Sequence, residues 1–181
     1  LPAPVPVTEP PASLDEWERW EGMRIRVEAP LTLTGTWGLR RFGEAMVSFD
    51  GRLFQPTELH RPGPQADSAA RANALRRIVL DDGADRQWPE GLAWREGEEG
   101  GWPTAEEPLR AGSVLAPVTA IVDVRRGGYF LLPVEPVEVA EPAPRPDPPA
   151  LPPMPESDGP LRVAVLNVEN LFNGDGMGGG F

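Results

Sequence analysis

The clearest pattern in the chain is an alternation of apolar and polar residues that starts at Met23. From Met23 to Leu33 every odd position is apolar, and the even positions hold Arg, Glu, Pro or Thr. A period of two sustained over this length predicts a half-buried β-strand whose odd side chains enter a core. Pro30 falls on the outward parity, where it can bend the strand without disturbing the buried face.

Further segments downstream also carry structural signals. An Asp-Gly pair predicts a hairpin turn, Ala- and Arg-rich sequence predicts a helix, and a polar stretch rich in Gly, Glu and Pro predicts a loop. The predicted elements are a strand at 45–49, a turn at Asp50-Gly51, a returning strand at 52–55, a helix at 66–77, a strand at 78–80, a surface loop at 84–112, and closing strands at 114–124 and 128–132.

This layout predicts a mainly β fold, an OB-fold-like barrel of five strands with one helix. Prolines crowd both flanks, and Pro lacks the N–H that a strand ladder or a helix needs. The flanks are therefore predicted to be linkers that join no ladder. The domains expected are a Pro-rich lead-in at 1–13, the OB-like domain at 14–132, a Pro-rich linker at 133–160, and the incomplete start of a second domain at 161–181.

Composition and charge narrow the classes of function. The chain has no cysteine, which excludes disulfides and thiolate metal sites, and no apolar run long enough to span a membrane. The net charge is −11. Residues 22–88 nevertheless carry ten arginines against eight acids, a net of +2. This segment is the part suited to face phosphates. The adjacent acids Asp81-Asp82 fit either a metal site or an ordinary turn.

Two stretches resemble parts of one known family. The short apolar run 161–166 ends in Leu166-Asn167-Val168 and leads into NVENLFNGDGMGGGF. This stretch resembles the first core strand of the endonuclease/exonuclease/phosphatase superfamily, the DNase I-like α/β sandwich. Independently, residues 16–139, with motifs such as GRLFQPT at 51–57, look like the OB-like domain that precedes the catalytic domain in secreted bacterial nucleases.

The OB-like prediction supplies candidate ligand-binding residues. OB-folds bind single strands by stacking bases on aromatic rings and holding phosphates with basic side chains. The candidate nucleic-acid-binding residues are Arg24, Arg26, Trp37, Arg40, Arg41, Phe42, Arg52 and Tyr129. The alternative is that the Phe side chains belong to the core and the arginines only solubilise the surface.

The resemblance also implies a function for a longer parent protein. It implies a secreted, metal-dependent endonuclease that hydrolyses DNA, or RNA, with Mg²⁺, Mn²⁺ or Ca²⁺, and it places Asn167 beside the metal and the scissile phosphate. The remaining metal-binding and catalytic residues of that family have no counterpart in this chain, so the chain alone is expected to be inactive. It is expected to be monomeric, with no protein partner and no membrane association. The alternatives are a non-catalytic OB-fold binding module and a structural spacer.

Overall fold

A computed structural model describes residues 2–145, and this part of the chain is mainly β. Its strands form one curled sheet. The strands are β1 (Val5–Val7), β2 (Arg24–Val27), β3 (Leu31–Gly35), β4 (Ala45–Phe49), β5 (Arg77–Leu80), β6 (Val114–Leu115), β7 (Val118–Arg125), β8 (Gly128–Pro133) and β9 (Val139–Glu141). The helices are α1 (Leu39–Phe42), α2 (Pro56–Leu59), α3 (Pro64–Arg76) and two 3₁₀ helices, Leu14–Trp20 and Glu98–Gly101.

The order of strands explains why the sheet curls. Neighbours in the sheet follow the order β1-β2-β7-β8-β5-β4-β3-β6-β9. The pairs β1–β2 and β5–β8 are parallel, and the remaining pairs are antiparallel. Only residues 28–30 separate β2 from β3 along the chain. The path from β2 through β7, β8, β5 and β4 to β3 therefore begins and ends on neighbouring segments, which forces the sheet to bend round.

The predicted alternation from Met23 to Leu33 is confirmed for the core face. Ile25, Val27, Leu31 and Leu33 are each at most 1% exposed, whereas Met23 is 41% exposed and lies outside the core. The strand is interrupted around Pro30, and its two halves have different partners: β2 pairs with β7, and β3 pairs with β4. The strands at 45–49, 78–80 and 128–132 and the helix are also present, whereas the single strand predicted at 114–124 is divided into β6 and β7.

The returning strand predicted at 52–55 is wrong. Asp50 and Gly51 both adopt positive φ, as a tight turn requires. The segment that follows forms no strand, because β4 already has β3 on one edge and β5 on the other. The backbone N–H of Leu53 instead donates to the Thr34 hydroxyl at 2.8 Å.

The Pro-rich flanks contribute two edge strands, which corrects the expectation that they join no ladder. β1 contains Pro6 and lies at one end of the strand order, and β9 lies at the other end. An edge strand has one side free of hydrogen bonds, and there the missing N–H of proline costs little. The compact unit extends to Arg145. The predicted strand at 161–166 lies outside the described residues.

Tryptophans from two irregular segments complete the core. Trp17 and Trp20 of the first 3₁₀ helix are buried with their rings edge to face, 5.2 Å apart, and Trp17 lies 6.4 Å from the ring of Phe49. Leu92 and Trp94 are also buried. The prediction that 84–112 is purely a surface loop is therefore wrong at these two residues. No helix within residues 2–145 is both long and apolar enough to cross a bilayer.

Candidate nucleic-acid interface

The connection from β3 to β4 is a short helical loop whose backbone is held by contacts on its inner side. Leu39 buries the inner side of α1, and Gly43 ends the helix at φ 75°, a conformation that favours glycine. The indole N–H of the buried Trp94 donates to the Gly43 carbonyl oxygen at 2.6 Å. The backbone N–H of Trp88 donates to the Arg41 carbonyl at 2.7 Å. These contacts hold the backbone of the loop while its outer side chains face solvent.

Arginine and aromatic side chains occur together on the outer side of this loop. Trp37, just before α1, is 89% exposed. The guanidinium carbon of Arg41 lies 5.0 Å from the centre of the Phe42 ring, and that of Arg40 lies 4.6 Å from the Trp102 ring. Each distance is within the range of a cation–π contact. Aromatic faces and guanidinium groups are therefore presented together.

The β7–β8 turn adds a third guanidinium from a distant part of the chain. Arg126 has φ 51° and Gly127 has φ 76°, so the turn is tight and left-handed. The Arg126 guanidinium carbon lies 5.7 Å from the Phe42 ring centre, and its Nη1 lies 3.5 Å from a Glu44 carboxylate oxygen. We call Trp37, Arg40, Arg41, Phe42 and Arg126 the Phe42 cluster.

Arg125 connects this turn to the segment after β5 by hydrogen bonds. Its guanidinium hydrogen-bonds to the Asp123 carboxylate, to Asp81 Oδ2 at 3.3 Å and to the Gly83 carbonyl at 2.9 Å. The bond to Asp123 raises the pKa of Arg125. Burial raises the pKa of Asp81, and the positive charge of Arg125 offsets part of this increase. Burial and the nearby charge of Asp81 raise the pKa of Glu44. These contacts of Arg125 are partly buried, charge-assisted hydrogen bonds, which are stronger than hydrogen bonds between neutral groups.

The Asp81-Asp82 pair takes part in these contacts and in a turn. Asp82 Oδ1 accepts the backbone N–H of Ala84 at 2.8 Å, which is an Asx-type turn. Within residues 2–145, no group of three or more His, Asp or Glu side chains is arranged to hold a metal ion. Of the two interpretations of this pair, the contacts match the turn.

The structure divides the predicted site residues into separate groups. Trp37, Arg40, Arg41 and Phe42 lie in one short stretch of the chain, just before and in α1, and Arg41 contacts the Phe42 ring. Arg24 and Arg26 lie on β2, where Arg24 pairs with Glu135 at 3.1 Å and Arg26 donates to the Thr119 hydroxyl at 3.0 Å. The exposed Arg52 lies over the Phe54 ring, 5.1 Å from its centre. Asn167 lies outside the described residues.

The Tyr129 side chain is held by contacts within the domain. Its ring packs against the core, and its hydroxyl donates to Glu18 Oε2 at 2.7 Å. This hydrogen bond is the main reason why the pKa of Tyr129 is raised to about 12, with burial and the acids at 18, 21 and 15 adding to it. A role for Tyr129 in stacking bases stays a prediction, and its hydroxyl already has a partner.

Sequence reasoning missed Arg126, which belongs to the Phe42 cluster, and Trp102, whose ring lies under Arg40 of the cluster. Arg126 falls between the two predicted closing strands, and Trp102 falls in the predicted surface loop. The contact between Arg126 and Glu44 spans 82 positions of sequence, so local patterns carried no sign of it. The available signal was the OB-like prediction itself, since ligands of that fold contact both the first loop and the loop between the last two strands.

Comparison with known proteins adds one finding. The family model of a domain of unknown function, DUF8508, matches residues 6–142, and the chain belongs to this family. The matched range runs from β1 to just after β9. The family domain therefore coincides with the sheet described above, including both edge strands. Neither a curated protein nor a solved structure matches the chain.

Proposed function

We propose that residues 2–145 are an OB-like barrel. The support is the connectivity of the sheet. When β2 and β3 are counted as one bent first strand, β4, β5, β7 and β8 become strands two to five. The first strand pairs with the second and fourth, the third pairs with the second and fifth, and the pairing of third and fifth is parallel. This is the arrangement of a five-stranded Greek-key barrel of the OB type. Helix α3, which precedes the third strand, is an addition to it.

The function that this domain supports best is binding of single-stranded nucleic acid through the Phe42 cluster. The observation that carries the proposal is the convergence of Arg41 and Arg126 on one aromatic ring, from two loops far apart in sequence. Arginines beside exposed rings can hold phosphates while the rings stack on bases. The nearly fully exposed Trp37 is the most accessible base platform in the cluster.

For the longer parent protein we propose a secreted, metal-dependent nuclease that acts on DNA or RNA. This part rests on the resemblance of residues 161–181 and on the order of the two resembling stretches. The resemblance implies that Asn167 would lie near a divalent ion such as Mg²⁺ and near the scissile phosphate. Replacing Asn167 by Ala in that parent is expected to lower turnover about 10²–10³-fold, the scale of losing one well-placed transition-state donor.

The binding proposal is tested with the chain itself. Fluorescence anisotropy of a labelled twelve-residue oligothymidine, at about 50 mM salt, should rise on titration with the protein and should rise much less with a duplex of equal length. The Phe42→Ala, Arg126→Gln double variant should bind at least tenfold more weakly. An unchanged affinity in this variant would remove the Phe42 cluster from the site.

A further inference from the structure

Two adjoining cavities lie on the outer side of β4 and β5. One, of about 540 Å³, is lined at its far end by Arg52 and Phe54. The other, of about 620 Å³, is lined by Val79 and Phe130, among others. The two cavities share the lining residues Met46, Ala74 and Arg77. We call the combined depression the outer groove.

The apolar floor of the outer groove is set by strand register. Met46 of β4 pairs with Val79 of β5, and Val79 pairs with Phe130 of β8. Facing residues of paired strands project to the same side of a sheet, so these three form a row across three strands. All three are only partly buried. The barrel thus presents an apolar stripe outward, opposite to its core.

Helix α3 forms one wall of the outer groove and keeps it open. Ala70, Asn73 and Ala74 of α3 line the cavities, and two of these three side chains are single methyl groups. The helix is tied in place by Asn73, whose Nδ2 donates to the Phe54 carbonyl at 2.9 Å, and by Arg76, which donates to the Phe49 carbonyl at 2.9 Å. The small residues leave space between this wall and the floor.

The charges in the outer groove are available to a ligand. Arg52 and Arg77 are exposed, and neither lies within 4.0 Å of a carboxylate in the part of the chain that the structure describes. The acids that line the ends are Glu58, which accepts the Gln55 backbone N–H at 2.9 Å, and Asp15. Arg77, which lines both cavities, lies at the centre of the outer groove, and Arg52 lies at one end. Their guanidinium groups could each hold a phosphate.

We propose that the outer groove is a second contact region for single-stranded nucleic acid, continuous with the Phe42 cluster. The link is the β7–β8 turn, since Gly127 lines the groove and the preceding Arg126 contacts Phe42. Bases lie against Met46, Val79 and Phe130, and phosphates are held by Arg52 and Arg77. Duplex is excluded because its bases are already stacked in pairs and cannot lie on this floor. This inference rests on the proposed function.

The test measures anisotropy of labelled oligothymidines of four and twelve residues with the full chain. The Arg52→Gln, Arg77→Gln double variant should weaken binding of the twelve-residue strand about tenfold at low salt. It should also lower the slope of log affinity against log salt by about 1.4, which is two phosphate contacts at about 0.7 each. Met46→Glu, which places a carboxylate on the floor, should weaken binding likewise. Arg71→Gln is the matched control: Arg71 is exposed on α3 and lines neither cavity. Near-ultraviolet circular dichroism confirms that each variant is folded.

The outcomes separate the groove from the cluster. A loss confined to the longer strand, with Arg71→Gln unchanged, supports the outer groove. If the Arg52, Arg77 variant binds both strands as tightly as the control, the groove inference is overturned while the Phe42 cluster stands. If the unmodified chain binds neither strand, the proposed function fails and this inference fails with it. Equal binding of duplex would also overturn the proposed mode.

Discussion

The guanidinium of Arg126 lies over the ring of Phe42, 5.7 Å from its centre, although the two residues belong to separate loops. Arg126 sits in the turn between β7 and β8, and Phe42 ends α1. The contact joins these loops into one surface, and the ion pair between Arg126 and Glu44 supports the same approach.

Trp37 should contribute the largest stacking energy of the cluster. Trp37→Ala is expected to cost about 1–3 kcal/mol of binding free energy for oligothymidine, the value typical of one lost base–aromatic stack. Trp37→Phe keeps a ring and should retain most of the affinity. Isothermal calorimetry measures both. Equal losses in the two variants would indicate a structural role instead of stacking.

Arginines of the cluster should dominate the salt dependence of binding. Arg40→Gln and Arg41→Gln should each flatten the plot of log affinity against log salt by about 0.7, the value for one phosphate contact on a single strand. Arg24→Gln should change the slope less, because Arg24 already pairs with Glu135. A larger effect at Arg24 would place the binding surface on β2.

Tyr129 should ionise only at high pH. The tyrosinate signal can be assigned to it because the chain has a single tyrosine. Absorbance at the tyrosinate band should titrate with a pKa of about 12 in the folded protein. The folded pKa lies above the ordinary value of 10.0, so the stabilisation is complete below pH 10 and is lost as pH rises towards 12. Glu18→Ala should move the midpoint back towards the ordinary value. A midpoint near 10 in the unmodified protein would mean that Tyr129 is free of Glu18.

Trp94 should stabilise the loop that carries the cluster. Trp94→Phe keeps an aromatic ring but leaves the Gly43 carbonyl without its donor, and an unsatisfied buried group of this kind costs about 1–3 kcal/mol. Urea denaturation should show this loss in the free energy of unfolding. Trp102→Phe is the comparison, since the Trp102 N–H donates to the Glu90 carbonyl in a more exposed setting and should cost less.

Local patterns in the sequence predict the strands well and the site only in part. Alternation places Ile25, Val27, Leu31 and Leu33 in the core because period two is a property of each strand alone. The edge strands β1 and β9 could not be predicted in this way. Whether a proline is tolerated depends on whether its strand lies at an edge, and that is set by the order of strands in the sheet.

The site shows the same division between local and long-range information. Arg40, Arg41 and Phe42 are consecutive, so they are visible together in the sequence. Arg126, Trp102 and the outer groove depend on contacts between residues far apart in the chain. Arg24 and Arg26 lie at outward positions of the alternation, but a local pattern cannot show that Glu135 and Thr119 occupy their guanidinium groups.

The most direct test of single-strand binding follows the indole N–H signals of the six tryptophans by nuclear magnetic resonance during titration with oligothymidine. The exposed Trp37 indole should shift progressively, while that of the buried Trp20 should stay in place as an internal control. An equal concentration of duplex should leave the Trp37 signal nearly unchanged. A spectrum in which the Trp37 signal is unaffected by a saturating single strand would contradict the proposed binding surface.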